Sequence, residues 1–360
     1  MKSKRPILFT GGGTLGPVTP LLAIYEVWRE QDPGMNFAWV GTPSGPEAEL
    51  VHSRRIPFYT LRVPKLNRHQ KWQWPLVPFG LAWSFVRSVK LLRKLRPQMI
   101  FTAGGYVSVP LAWAGRMMGI PVWVHQLDVI PGVANKLMAP AAERVSVTFE
   151  ASLKDYGHDK TLVVGGVTRD SVGKGDPKKA MEEFGLNPRK PTLFVLGGGT
   201  GAMQINDAMA VIGKELERKM NIIHLTGKGK TDKRLEKIGG NYTVREFLNT
   251  QMADAYAAAD AVVARAGMGT LLEIAMLRKP ALLIPIAGSH QIANARAFED
   301  ADAAEVVYRV NPQILKQQIE HLILDESRKA EIKQHLKRFL SHNGAEEIVH
   351  SARRILHHRA

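Results

Sequence analysis

The sequence contains no cysteine. That removes disulfide frameworks, zinc–thiolate centres and thiol nucleophiles, and it agrees with a reducing cytoplasm. A long apolar run is also missing. Residues 72–86 and 97–115 carry no charge, but the first stretch holds Pro75 and Pro78, and the second holds Gly104, Gly105, Ser108 and Pro110. A membrane-spanning helix needs about 20 predominantly apolar residues, so neither stretch is expected to cross a bilayer. Residues 6–11 are too few for a signal-peptide core, and no small-residue cleavage site follows them. They read as the first strand of a domain.

Acidic residues are absent from residues 50–127. The same stretch carries twelve lysines and arginines, within a chain whose formal net charge is +16. Inside it lie Trp72, Trp74, Phe79, Trp83 and Phe85, flanked by Lys71 on one side and by Arg87 and Lys90 on the other. An interfacial membrane site requires apolar groups that enter the headgroup region beside cations that attract anionic lipid. Each such cation adds about 1 kcal/mol near an anionic surface. A competing reading is a core helix with a solvated basic face, in which Leu81, Phe85, Val89 and Leu92 point inward at helical spacing. A nucleic-acid footprint is a third reading, but no nucleic-acid-binding motif accompanies it. The unbroken single sign of charge favours the membrane.

What is present is ordinary globular material: 45% hydrophobic and 23% charged residues over a 360-residue chain, more than one domain usually holds. Short apolar runs alternate with helical patterns. Strands are expected at residues 6–11, 36–41, 58–63, 99–103, 122–125, 144–148 and 162–165, and again at 192–196, 221–225, 243–247, 261–264, 281–286 and 305–308. Val, Ile, Leu and Phe dominate many of them, as in parallel strands buried on both faces. The expectation is α/β: two Rossmann-like, doubly wound domains, with a boundary near residues 167–190 and ligands at the carboxyl ends of the strands. Residues 173–177 have linker-like composition.

Each half opens with a glycine loop between a strand and a helix: residues 11–16 and residues 197–201. Glycine permits close backbone approach, and the exposed N–H groups and positive helix end attract phosphate. Either loop alone can be tight packing; two in equivalent places point to phosphate. A dinucleotide reading of Gly11, Gly13 and Gly16 needs an acid about 20 residues on, to hold a ribose hydroxyl. The second strand instead ends Trp39-Val40-Gly41-Thr42, without one.

Two further constellations follow later strands. In Arg265-Ala266-Gly267-Met268-Gly269-Thr270-Leu271-Leu272-Glu273, the glycines and Thr270 sit at a helix start that can hold phosphate. Glu273, one turn on, either accepts two ribose hydroxyls or merely complements the helix dipole. In Ser289-His290-Gln291-Ile292-Ala293-Asn294, polar side chains either hydrogen-bond a sugar or cap the next helix.

In order and spacing these segments, together with Gly104-Gly105-Tyr106-Val107-Ser108, His125-Gln126-Leu127-Asp128, residues 164–169 and Phe247-Leu248, resemble the MurG family of N-acetylglucosaminyltransferases, which complete lipid II in peptidoglycan synthesis. The resemblance runs from about residue 6 to residue 340. It implies a GT-B fold whose two domains face a central cleft, over residues 1–168 and 169–342, with residues 343–360 a helix that packs back on the first. It implies UDP-GlcNAc as donor: backbone near Leu248 reads uracil, and Glu273 reads ribose. Arg169, Gly199, Thr200, Gly201, Met268, Gly269 and Thr270 hold the diphosphate, and His290, Gln291 and Asn294 line the donor site near the sugar. A polyprenyl-diphosphate-linked acceptor meets Gly13, Thr14, Gly16 and Tyr106. The basic aromatic segment docks on the cytoplasmic leaflet as a peripheral membrane contact. No metal, cofactor or nucleic acid is implied.

The departures fall on the acceptor side. Leu15 replaces a glycine, and Pro17 replaces the histidine of the family's first loop; proline offers no side-chain base. The family's His-Glu-Gln-Asn becomes His125-Gln126-Leu127-Asp128, so Asp128 is the expected base and His125 the fallback. Another lipid acceptor, or an inactive UDP-sugar-binding membrane protein, are the rival readings.

Overall fold

The computed structural model of the protein describes residues 5–64, 77–197, 202–340 and 343–359. Its contacts divide the chain into two compact units, Met1–Val167 with Asn343–Ala360, and Thr168–His342.

In the first unit the strands are β1 (Ile7–Thr10), β2 (Phe37–Gly41), β3 (Phe58–Thr60), β4 (Met99–Thr102), β5 (Val122–Gln126), β6 (Arg144–Val147) and β7 (Thr161–Val163). The helices between them are α1 (Val18–Gln31), α2 (Glu47–His52), α3 (Val77–Leu95), α4 (Ser108–Met117) and α5 (Val133–Met138). The sheet is parallel, in the order β3-β2-β1-β4-β5-β6-β7. Side chains alternate across it, as the period of two in a strand demands. Ile7 and Phe9 enter one buried cluster with α1, while Leu8 enters the other with Leu92, Leu111 and Ala112.

The second unit carries β8 (Thr192–Leu196), β9 (Asn221–Leu225), β10 (Tyr242–Arg245), β11 (Ala261–Ala264), β12 (Ala281–Leu283) and β13 (Glu305–Val306). Its helices are α6 (Pro177–Phe184), α7 (Met203–Leu216), α8 (Lys233–Glu236), α9 (Met252–Ala258), α10 (Met268–Met276), α11 (Gln291–Asp300), α12 (Pro312–Leu324) and α13 (Glu326–Phe339). The parallel sheet runs β10-β9-β8-β11-β12-β13. The glycine-containing stretch 173–177 lies inside this unit. Asp176 there donates its N–H to Asp254 (2.7 Å) and caps α6 through Lys178 N–H (2.9 Å).

The last helix, α14 (Ala345–His358), belongs to the first unit. Ala345, Ile348, Val349 and Ala352 recur at i, i+3, i+4 and i+7 and bury one stripe in the cluster beneath α1. Gly344 enters through a hydrogen bond to Gly166 O at 2.7 Å, with its backbone against Val164, where a side chain would overlap.

Both sheets are doubly wound. Strand order reverses between β1 and β4 in the first and between β8 and β11 in the second. Loops part in opposite directions at such a switch point and leave a crevice at the carboxyl ends of the strands. The candidate residues gather around those two places.

Candidate functional site

In the second unit, β11 runs into Arg265-Ala266-Gly267, and Gly267 is the N-cap of α10. The first turn of α10 offers unpaired N–H groups and the positive end of the helix dipole, a ready site for an anion. Met268 is buried there, with Gly269 and Thr270 half-buried. Gly199, Thr200 and Gly201, which follow β8 in sequence, lie outside the described residues.

Glu273 projects from the second turn of α10 and is buried. Its Oε1 meets Arg169 Nη2 at 2.6 Å, and its Oε2 accepts from the Tyr256 hydroxyl at 3.3 Å. The ribose and diphosphate candidates are therefore partnered with each other. Arg265 is buried too, and among the described residues its guanidinium donates to neutral oxygens: Ile284 O (3.0 Å), Pro285 O (3.4 Å) and Gln204 Oε1 (3.2 Å). Burial pulls its pKa below the usual value. A buried cation without a carboxylate partner among the described residues is expensive unless an anion comes to it.

The start of α11 is stitched to the same loop. Gln291 Oε1 accepts from Ile286 N–H (3.1 Å), and its amide nitrogen faces Gly267. Ser289 caps the helix through Gln291 N–H (3.2 Å), while His290 is exposed and makes no side-chain cap. Asn294 is wholly buried and donates to Ala266 O (3.2 Å), so it holds the loop and cannot face a sugar. Leu248, beyond β10, is buried beside half-buried Phe247, whose ring carries Lys228 at 5.3 Å.

In the first unit, the loop after β1 meets the loop after β4. The Tyr106 ring lies against Gly13, which has φ +83°, and Gly105 backs onto Gly12. Burial and the Glu47 carboxylate both raise the Tyr106 pKa, so the phenol stays protonated. Glu47, at the start of α2, is fully buried and accepts from Thr42 N–H (2.6 Å), Thr42 Oγ1 (2.5 Å) and Gly13 N–H (3.1 Å). A Cβ on Gly12 or Gly45 would overlap that carboxylate. The Gly13 N–H is thus committed to Glu47 rather than to a ligand. Thr14 and Gly16 complete the turn ahead of α1.

Strand β5 ends in His125 and Gln126, and Asp128 follows, half-buried. His125 is fully buried, its Nδ1 3.0 Å from Ser146 Oγ, and burial lowers its pKa to about 3. An imidazole so enclosed cannot reach the proton of an acceptor hydroxyl, which corrects its assignment as fallback base. Gln126 is also buried: Nε2 donates to Asp128 O (2.6 Å), and Oε1 accepts from Asn135 (2.6 Å) and Tyr156 (2.8 Å). It shapes the turn that carries Asp128.

Lys71, Trp72 and Trp74 lie outside the described residues. On α3, Phe79 (77% exposed), Trp83 (59%) and Val86 face outward with Arg87 and Lys90, and the Arg87 guanidinium sits 5.2 Å from the Trp83 ring. Phe85 does not join them: with Val89 and Leu92, at i+4 and i+7, it turns toward the core. Neighbouring elements extend the exposed face with Trp113, Met117, Ile130, Val133 and Leu137, and Trp113 Nε1 donates to Leu137 O at 3.0 Å. Among the described residues, no helix is long and apolar enough to cross a membrane.

Sequence reasoning misses Glu47, Gln126 and Tyr256. Each acts by touching a residue remote in sequence. The one trace of Glu47 is indirect: Gly12, Gly41 and Gly45 all crowd its carboxylate, and their glycine content reads as loop chemistry.

The models of the glycosyltransferase family 28 N-terminal and C-terminal domains match residues 7–147 and 192–349. A UDP-N-acetylglucosamine–N-acetylmuramyl-(pentapeptide) pyrophosphoryl-undecaprenol N-acetylglucosamine transferase of Bacillus anthracis is 34% identical over 350 residues, covering 96% of this chain and 98% of its own. The transferase of that name from Legionella pneumophila (strain Lens) is 37% identical over 306 residues, 84% of each chain. The crystal structure of Acinetobacter baumannii MurG superposes with a TM-score of 0.72 at 24% identity, covering 97% of this chain and 99% of that one.

Proposed function

The chain belongs to glycosyltransferase family 28, among the transferases named for UDP-N-acetylglucosamine and N-acetylmuramyl-(pentapeptide) pyrophosphoryl-undecaprenol, and on that premise we propose that it moves N-acetylglucosamine from the nucleotide to the 4-hydroxyl of the lipid-linked muramyl sugar. The observation that carries the donor half is the cluster at the β8/β11 switch point: Arg169, Glu273, Gln291 and the N-terminus of α10, with the buried cation of Arg265 beneath. Glu273 takes the ribose hydroxyls, backbone at Leu248 the uracil, and Met268–Thr270 with Arg169 the diphosphate.

The chemistry is an inverting displacement. The acceptor oxygen forms a bond to the anomeric carbon as the bond to the diphosphate oxygen breaks, and Asp128 takes the hydroxyl proton. Charge that develops on the departing UDP meets the α10 dipole, fixed in place by the helix, and Arg169, drawn from Glu273 by the diphosphate; these groups take the place of a metal as the electrostatic stabiliser. Gly16, Thr14 and Tyr106 face the acceptor. The exposed aromatic and basic face of α3, with Trp113 beside it, rests on an anionic leaflet where a lipid-linked acceptor is held.

The commitment of Gly13 N–H to Glu47, with Pro17 after it, favours a second reading in which the acceptor is a different polyprenyl-linked or glycerolipid sugar acceptor. The test is transfer from radiolabelled UDP-GlcNAc to a short-chain muramyl-pentapeptide diphospholipid with EDTA present. Disaccharide lipid is the expected product. Intact UDP-GlcNAc binding without product would replace the muramyl acceptor by another lipid.

A further inference from the structure

Tyr256 lies on α9, wholly buried, where no nucleotide can touch it. Its ring is fixed edge-on against Phe194 of β8, centroids 5.1 Å apart at 89°. Its hydroxyl ends 3.3 Å from Glu273 Oε2, while Arg169 holds Oε1 at 2.6 Å. The Glu273 carboxylate is therefore gripped on both oxygens by groups of different kinds. One is a rigid phenol seated in the core of the sheet. The other is a long guanidinium that diphosphate can attract away.

A carboxylate has about four lone-pair positions, so it can keep the phenol and still accept two ribose hydroxyls once the guanidinium moves. Without the phenol, the plane of the carboxylate is free to turn and present both oxygens to the Arg169 fork, the favoured bidentate geometry. That self-pairing would compete with the donor for both residues. Burial and the nearby carboxylate raise the Tyr256 pKa well above its ordinary value, so it remains a hydrogen-bond donor at every working pH.

We propose that Tyr256 is a positioning residue for donor recognition: its hydroxyl fixes the plane of the Glu273 carboxylate for the ribose hydroxyls and keeps the Arg169–Glu273 ion pair exchangeable. The inference rests on the reading of Glu273 as the ribose acceptor.

The experiment compares wild type, Tyr256→Phe and Glu273→Gln, each with UDP-GlcNAc and with its 2′-deoxyuridine counterpart. Tyr256→Phe keeps the ring contact with Phe194, so the fold is retained, and a melting curve checks it. The expected result is a KM for UDP-GlcNAc raised about tenfold, the scale of one hydrogen bond to a charged group, with kcat within about twofold. With the deoxy donor the penalty falls to about threefold or less. An equal penalty on both donors would mark Tyr256 as merely structural, and no penalty on either would remove it from recognition; both outcomes overturn the proposal. Glu273→Gln separates the underlying reading: its penalty must also shrink with the deoxy donor. If it does not, Glu273 is not the ribose acceptor and the proposal falls with that reading.

Discussion

Arg169 Nη2 and Glu273 Oε1 stand 2.6 Å apart, an ion pair between two side chains that both have work to do on the donor. Each compensates the other's burial. Removing Arg169 therefore acts twice. Arg169→Ala is expected to lower kcat/KM by about 10²–10³, the loss seen when one preorganised stabilising donor is removed. It is also expected to destabilise the fold by about 3 kcal/mol, because the buried Glu273 carboxylate loses its cation. Steady-state kinetics and urea denaturation check the two effects, and added UDP should restore little of the lost stability in the variant.

Glu47, in contrast to Glu273, is a buried carboxylate that organises backbone, through the N–H groups of Gly13 and Thr42. Glu47→Gln keeps the shape but turns one acceptor oxygen into an N–H donor, facing either Gly13 N–H or Thr42 N–H. A loss of about 1–3 kcal/mol in unfolding free energy follows from leaving a buried donor unmatched. The kinetic signature is a raised KM for the lipid acceptor, through the first glycine loop and Tyr106, with binding of UDP-GlcNAc unaltered by calorimetry. A change in donor affinity instead would place the role of Glu47 elsewhere.

These two acids also show what a sequence can and cannot reveal. The central strands β1, β2, β4, β5, β8, β9 and β11, and with them the α/β class, follow from apolar runs, because parallel strands buried on both faces must be continuously apolar; the edge strands β3, β7, β10 and β13 are only partly buried and carry a weaker signal. The positions of Glu273 and of the α10 start follow from the glycine spacing. The partners of those residues do not follow, since Arg169, Tyr256 and Glu273 come from a loop, α9 and α10, and sequence carries no distance between them. For the aromatic stretch the sequence offers both an interfacial face and an inward stripe at helical spacing; the phase of α3 turns Phe85, Val89 and Leu92 inward as that stripe requires, but leaves Leu81 exposed beside Trp83.

Outward aromatics at that phase can be removed without disturbing the core. Phe79→Ser with Trp83→Ser is expected to weaken sedimentation with anionic vesicles at least about tenfold, because two large apolar side chains no longer enter the interface. Thermal stability should change by less than about 0.5 kcal/mol, as for other exposed positions. Vesicles without anionic lipid should bind the parent protein poorly, since Arg87 and Lys90 then lose their attraction. Undiminished sedimentation of the double variant would move the membrane contact off this face.

Two buried histidines set the acid limit. His125 and His224 each have a pKa lowered to about 3 by burial, against an ordinary value of 6.5. His224 is locked between Tyr242 Oη (2.7 Å) and Asn206 Oδ1 (3.1 Å), and His125 beside Ser146. Below pH 6.5 the unfolded chain takes up protons that the folded chain refuses, so stability falls as pH falls. Between pH 7 and pH 5 the loss is about 2 kcal/mol for each histidine. Denaturation midpoints at the two pH values measure it, and His224→Gln should remove about half of the dependence; a flat profile would mean that both imidazoles reach solvent.

The same burial separates His125 from Asp128 as candidates for proton transfer. A base must reach the acceptor hydroxyl and must be unprotonated but still basic enough to take its proton. His125 fails the first demand: it is fully enclosed at the end of β5, where no acceptor hydroxyl reaches it. Asp128 is half-exposed on a turn whose carbonyl Gln126 holds at 2.6 Å, so its backbone is fixed although its side chain reaches the surface. Asp128→Asn is expected to lower kcat by about 10²–10³, the usual contribution of a positioned general base, with KM for UDP-GlcNAc and the melting temperature unchanged. His125→Gln should act in the opposite sense, lowering stability while sparing most of kcat. If Asp128→Asn turned over at the parent rate, the proton would have to leave through a different group, and neighbouring side chains on the acceptor loops, Tyr106 first, would become the ones to substitute.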